Sequence, residues 1–204
     1  MKSVLIIVLL AISIKSIAQP TELDNKVQAF LNKHKGKWHD LNVPYEDGKI
    51  LYDLIIKNHY TSALEIGTST GHSTVWIAWA MSKTGGKVVT IEIDKRRHEE
   101  AIENLAEAGL SNYVDARLAN AHELVKELPG PFDFVFSDAD KDWYKQYFLD
   151  VHPKLKLNGC YTTHNVADGL AGDGYYKFVT SHPDYTTTLD RTSRAGVLIS
   201  YKKK

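Results

Sequence analysis

A single cysteine, Cys160, stands in 204 residues, so no disulfide can form within the chain and no site built from several cysteine ligands is available. Charge of one sign is equally missing. Lys and Arg number 25, Asp and Glu number 25, and the formal net charge is zero. A chain without a global field has nothing to draw it to nucleic acid or to an anionic membrane, and small neutral or weakly charged partners fit it better. Beyond the first 18 residues there is no long hydrophobic run, and there are no internal repeats, low-complexity tracts or clear linkers. What remains, 43% hydrophobic and 25% charged, is the composition of one ordinary globular domain able to bury a full core.

The first residues are of another kind. Lys2 precedes an apolar run from Val4 to Ile14, and Ser16-Ile17-Ala18 follows before Gln19-Pro20. The run is too short to span a bilayer comfortably, and small residues at 16 and 18 mark a cleavage point after Ala18. Residues 1–18 are therefore expected to be a signal peptide, with the mature protein exported to a periplasm or secreted. Lys15 interrupts the pattern, and the alternatives are an uncleaved interfacial anchor or a cytoplasmic enzyme behind a mis-chosen start codon. Cleavage would remove Lys2 and Lys15 and leave 23 basic residues against 25 acidic ones.

Residues 19–204 read as one domain, with N-terminal helices over 19–58 and a core over 59–204. Thr21 to Lys35 carries Leu23, Val27, Phe30 and Leu31 at helical spacing, with Thr21 as a cap. Val43 to Gly48 reads as a loop into a second helix whose apolar face holds Ile50, Leu51, Leu54, Ile55 and Ile56. Strands are expected near Ser62–Ile66, Lys87–Ile91, Tyr113–Leu118, Phe132–Phe136 and Gly159–Thr163, with helices between them. Tyr185–Asp190 and Gly196–Tyr201, joined by a short turn, form a terminal hairpin. The fold class is α/β: a doubly wound, mostly parallel seven-stranded sheet with helices on both faces and a C-terminal antiparallel hairpin.

Ala63 to Ser73, ALEIGTSTGHS, is a strand, a glycine-bearing loop and a helix start, an arrangement in which backbone N–H groups meet a nucleotide-like ligand closely. The spacing E-x-G-x-x-x-G differs from the G-x-G-x-x-G of dinucleotide folds, which disfavours a nicotinamide oxidoreductase. Glu92, at the end of the second strand and 21 to 25 residues beyond the two glycines, is placed to accept both ribose hydroxyls. Asn120 reads as a helix cap beside Ala121 and His122, and His122 is either an adenine contact or a partly exposed helix residue. The fourth strand ends in Ser137-Asp138-Ala139-Asp140-Lys141-Asp142-Trp143-Tyr144, where Asp138 can hold a cation and Lys141 can face the same cleft. The fifth ends in Thr163-His164-Asn165, which supplies nitrogen and oxygen donors.

In this order and spacing, ALEIGTSTGHS, TIEID, SDADKDWY and THN resemble the class I S-adenosylmethionine-dependent O-methyltransferases of the cation-dependent catechol and caffeoyl-coenzyme A type. The likeness runs from about Val43 to the C-terminus. It implies that Glu65, Gly67, Ser69, Gly71 and Glu92 bind S-adenosylmethionine, that Ala121 and His122 lie by the adenine, and that Asp138 serves both the cofactor's methionine end and a metal. Asn165 takes the place of a metal-ligating asparagine, and Lys141 that of a general base, which burial and a neighbouring cation would activate. The terminal Leu189 to Lys203 resembles the family's last hairpin, with DRTSRAG where the family has a glycine-rich turn.

One position departs from the family: His164 stands where a second metal-ligating aspartate is expected. An Asp, Asp, Asn set suits magnesium, whereas a histidine turns preference toward manganese, iron, cobalt or zinc, or marks a site that has lost its metal. With a cation, Asp138, His164 and Asn165 would bind the acceptor hydroxyl and Lys141 would take its proton; without one, Lys141 and His164 would share that work. The expected partner is a small hydroxylated acceptor, phenolic or catechol-like, and the resemblance also implies a homodimer. Its pocket is expected around Trp38, Tyr45 and Asp168–Tyr176, the glycine-rich part of which is either a loop over the cleft or plain surface. The rival reading is an exported, non-catalytic binding module, because S-adenosylmethionine is not an obvious extracytoplasmic metabolite.

Overall fold

A computed structural model describes residues 19–166 and 172–204. The expected leader, and 168–171 of the expected cleft loop, lie outside the described residues.

The first helix, α1 (Glu22–Lys33), is set by a capping box: the Thr21 hydroxyl accepts from the Asp24 N–H, while the Asp24 carboxylate accepts from the Thr21 N–H. Val27, Phe30 and Leu31 form its buried face. The second, α2 (Tyr45–Asn58), takes in Tyr45 to Gly48, which the sequence pattern assigned to a loop. Pro44, with φ already near the helical value, precedes it, and Glu46 and Asp47 in its first turn complement the helix dipole. Gly48 belongs in the helix because of its neighbour: a Cβ there would lie 2.2 Å from the ring of Trp76.

Seven strands follow, in the expected places but for β5, which starts at Leu155 rather than Gly159: β1 (Ser62–Ile66), β2 (Lys87–Glu92), β3 (Val114–Leu118), β4 (Phe132–Ser137), β5 (Leu155–His164), β6 (Tyr185–Asp190) and β7 (Val197–Lys202). They form one sheet in the order β3-β2-β1-β4-β5-β7-β6, parallel except that β7 is antiparallel to both β5 and β6. Between them run α3 (His72–Thr84), α4 (Lys95–Ala108), α5 (Ala121–Glu127), α6 (Tyr144–Val151) and α7 (Gly172–Thr180). Strand alternation divides the core in two. Ala63, Phe134 and Phe136 face α1 to α4, where Leu31, Leu51, Ile77 and Leu105 meet them. Leu64, Ile66 and Val135 face α5, α6 and α7, where Val125, Phe148 and Val179 meet them. Both faces are covered, so β1 and β4 are apolar almost throughout, as buried parallel strands must be.

Candidate active site

Strand order reverses between β1 and β4, so the loops that leave their carboxyl ends diverge and open a crevice. A cavity of about 340 Å³ lies there. Gly67 and Ser69 from the loop after β1, Glu92 and Ile93 from the end of β2, Ala121 and His122 from the start of α5, and Asp138 after β4 all line it. The two sides of the crevice touch at its base: the Asp138 N–H donates to the Ile66 carbonyl at 2.9 Å. Gly67 is required at this contact. Its φ is +100°, and a Cβ would sit 2.6 Å from the Asp138 carbonyl oxygen.

Glu92 is fixed by backbone. One oxygen accepts from the Ser69 N–H at 2.7 Å, the other from the N–H groups of Ile93 and Asp94 at 3.0 and 2.9 Å. An ionised carboxylate has about four acceptor sites, so one remains for a ligand hydroxyl. The far rim was not legible in the sequence: Arg96 and Arg97 hold the Asp40 carboxylate, bringing its pKa down to about 2, and the Ser69 hydroxyl donates to the Asp40 carbonyl. Leu41, exposed and lining the cavity, is pinned there by contacts more than fifty residues apart in sequence. Asn120 caps α5 as expected, accepting from the His122 N–H at 3.0 Å. His122 lines the cavity while its ring stacks on Trp143, centroids 3.7 Å apart, with Asp140 3.2 Å from Nε2.

Other expected site residues do not reach the cavity wall. Glu65 is fully buried behind it, accepting from the Thr74 and Thr90 hydroxyls at 2.5 and 2.6 Å. Burial raises its pKa, the hydroxyls of Ser73, Thr74 and Thr90 oppose that, and the result is about 7. Gly71 is the N-cap of α3, where a Cβ would press on Ala101 at 3.3 Å. Glu65 and Gly71, both expected at the cofactor, thus stand behind the loop whose Gly67 and Ser69 line the cavity. Lys141 is exposed on the turn before α6, so the burial expected to activate it is missing. Trp38 stacks on His72 at 4.4 Å, and Tyr45 meets the Trp76 ring edge-on.

His164 ends β5 beside the cavity, and its surroundings contain the residue the sequence reading missed. Its Nδ1 lies 3.0 Å from Asp138 Oδ2 and its Nε2 2.8 Å from Oδ2 of Asp47, a buried carboxylate of the first turn of α2. Burial pulls the His164 pKa down, but the hydrogen bonds to Asp138 and Asp47 more than offset it, and it rises to about 9. Ser193 in the β6–β7 turn also donates to Asp47, at 2.7 Å. Tyr144 donates to Asp138 at 3.3 Å and to the His164 carbonyl at 3.1 Å. Nothing local marks Asp47, which stands 117 residues from His164.

A family model for O-methyltransferases matches residues 15–168, three quarters of the chain. The chain belongs to the O-methyltransferase family. Within it, this O-methyltransferase-family chain is 38% identical over 112 residues to a catechol O-methyltransferase of Niastella koreensis, covering 53% of the chain and 50% of that protein. It is 28% identical over 130 residues to caffeoyl-CoA O-methyltransferase 1 of Eucalyptus globulus, covering 61% and 52%. The chain spans about half the length of these curated relatives. An O-methyltransferase of Streptomyces achromogenes solved with SAM superposes with a TM-score of 0.74 at 25% identity over 93% of each chain. One of Bacillus cereus, solved with SAH, gives 0.73 at 24% identity over 93% and 94%, a likeness of fold.

In this O-methyltransferase-family chain the residues do not fit the divalent cation that the resemblance implies. A histidine binds a metal through a ring lone pair, and both His164 nitrogens are turned to carboxylates, which only accept. Among the described residues no group of three or more His, Cys, Asp or Glu side chains is arranged to hold a metal ion. Of the expected ligand set Asp138, His164 and Asn165, the first two face each other, with His164 Nδ1 3.0 Å from Asp138 Oδ2. Asn165 keeps its place after β5 with a left-handed backbone, φ +55°.

Proposed function

We propose that this protein transfers the methyl group of S-adenosylmethionine to a hydroxyl oxygen of a small acceptor, phenolic or catechol-like. The observation that carries the reading is the Glu92 carboxylate, fixed by three backbone N–H groups on the wall of a cavity at the β1/β4 reversal. Glu92 would take the ribose hydroxyls, Ala121 and His122 the adenine, the Gly67–Ser69 loop and Asp138 the methionine end. When bound, the cofactor supplies an electrophilic sulfonium methyl. The chain's own task is to hold an acceptor oxygen in line with it and to remove its proton, and positioning accounts for much of the rate. Each His164 ring nitrogen faces a carboxylate, Asp138 or Asp47, rather than the cavity, so the acceptor's proton is not assigned to it. Lys141, three residues past Asp138 and exposed, is kept as the base on the resemblance alone, since neither burial nor a cation activates it here.

Calorimetric titration with S-adenosylmethionine and with NADH, followed by detection of methylated catechol, tests the reading. Binding of S-adenosylmethionine with methyl transfer supports it, and binding of NADH alone overturns it. Binding without transfer to any hydroxylated acceptor favours the non-catalytic module. Lys141→Ala is expected to lower turnover by about 10²- to 10⁴-fold, the contribution of a positioned acid or base, with cofactor affinity unchanged. An equal loss of both would sink the base assignment.

A further inference from the structure

Three side chains from distant parts of the chain meet beside the cavity in an arrangement that fixes a charge. Asp47 comes from α2, His164 from the end of β5, and Asp138 from the loop after β4. Asp47 and His164 are 1% and 3% exposed, so water does not compete for their hydrogen bonds. Each ring nitrogen faces a carboxylate, at 2.8 and 3.0 Å, and two ionised carboxylates both accept from the ring only when both nitrogens carry protons. With both carboxylates ionised the ring is an imidazolium between them, and each carboxylate would be costly to bury without it. Ser193 and Tyr144 close the ends of the chain, donating to Asp47 and Asp138 respectively.

The cation expected from the resemblance would stand on Asp138, position 164 and Asn165. Here position 164 itself supplies positive charge. We infer that the Asp47–His164–Asp138 chain replaces the divalent cation, so that the centre is metal-independent, with Asp47 the positioning residue that holds the imidazolium against Asp138. This rests on the methyltransferase reading for its purpose, but not for its chemistry. A bound metal would lower the acidity threshold of an acceptor hydroxyl by direct ligation. An imidazolium whose two N–H groups are spent on carboxylates cannot do so; it fixes the orientation of Asp138, and removal of the acceptor proton falls to a base.

The test uses the full chain. Manganese and magnesium chloride are titrated calorimetrically, and the His164 ring is observed by nitrogen-15 NMR at neutral pH. The expected result is no saturable binding of either ion, two protonated ring nitrogens, and no broadening of their signals by manganese. One-to-one manganese binding that broadens the His164 signals overturns the inference, as does a neutral ring. His164→Asp creates a set of oxygen donors and is expected to gain manganese affinity of at least about 10-fold. A folded variant that gains none counts against the inference, and if the variant does not fold, the wild-type spectra decide alone. Asp47→Asn should shift the Nε2 signal and leave Nδ1 in place, which a merely structural role would not produce. Titration with S-adenosylmethionine in EDTA separates the two claims: failure to bind the cofactor sinks the methyltransferase reading and leaves the metal result standing.

Discussion

Each oxygen of the Glu92 carboxylate already holds backbone N–H groups, and a glutamine there would turn an amide NH₂ toward at least one of them. A hydrogen bond to a charged group contributes about 1.5–3 kcal/mol, so Glu92→Gln is expected to weaken S-adenosylmethionine binding roughly 10- to 100-fold, read by calorimetry. Unchanged affinity would remove Glu92 from the cofactor site. His72 makes a prediction about pH. Its Nδ1 donates to the Val43 carbonyl at 2.8 Å and its Nε2 accepts from the Trp76 indole at 3.2 Å, a fully used neutral ring. Burial lowers its pKa to about 4, against the Val43 carbonyl, which raises it. Because the folded value lies below the unfolded 6.5, the unfolded state binds the proton first, and stability is lost as pH falls from 6.5 to 4. The shift corresponds to a loss on the order of 3 kcal/mol. Glu65, raised to about 7, acts in the opposite direction over the same range, so the His72 contribution is read as a difference. In urea unfolding, His72→Gln should flatten the acid limb relative to the wild type; an identical limb would contradict it.

At the scale of elements, α1 is held by one side chain serving three purposes. Asp24 completes the capping box, accepts the Trp79 indole N–H at 2.7 Å and pairs with Lys83, so it joins α1 to α3. Asp24→Ala removes the carboxylate half of the capping box and leaves a buried indole N–H without a partner, and a cost of about 2–3 kcal/mol is expected by denaturant unfolding. A loss below half a kcal/mol would show that α1 is docked by Val27, Phe30 and Leu31 alone. The strands behave differently: their bounds could be read to within a few residues because apolar runs between turn signals set them. The exceptions were the start of β5, at Leu155 rather than Gly159, and the start of α2, where a glycine sits in a helix to make room for Trp76.

For the molecule as a whole, the described residues form a single sheet covered on both faces, and no described helix is long and apolar enough to cross a membrane. Residues 1–18 are proposed to direct export. Expressed from Met1 in a bacterial host, the protein is expected to reach the periplasm with Gln19 as its first residue, shown by mass spectrometry of the purified chain. Recovery of Met1 in the cytoplasmic fraction would contradict this.

Amino-acid sequence alone determined the α/β class, the order of the motifs along the chain, and the Glu92 carboxylate and Gly67 that frame the crevice, because those depend on patterns of near neighbours: apolar runs between turn signals, glycine at a turn, an acid just past a strand. Tertiary structure decided which of them meet. Glu65 and Gly71 share a motif with Gly67 and Ser69, yet packing against Thr90 and Ala101 turns them away from the cavity. Asp47 carries no local signal, and only the docking of α2 against the end of β5 brings its carboxylate to His164. Whether that histidine is a ligand or a buried cation depends on what faces each ring nitrogen, and that is a property of the folded chain.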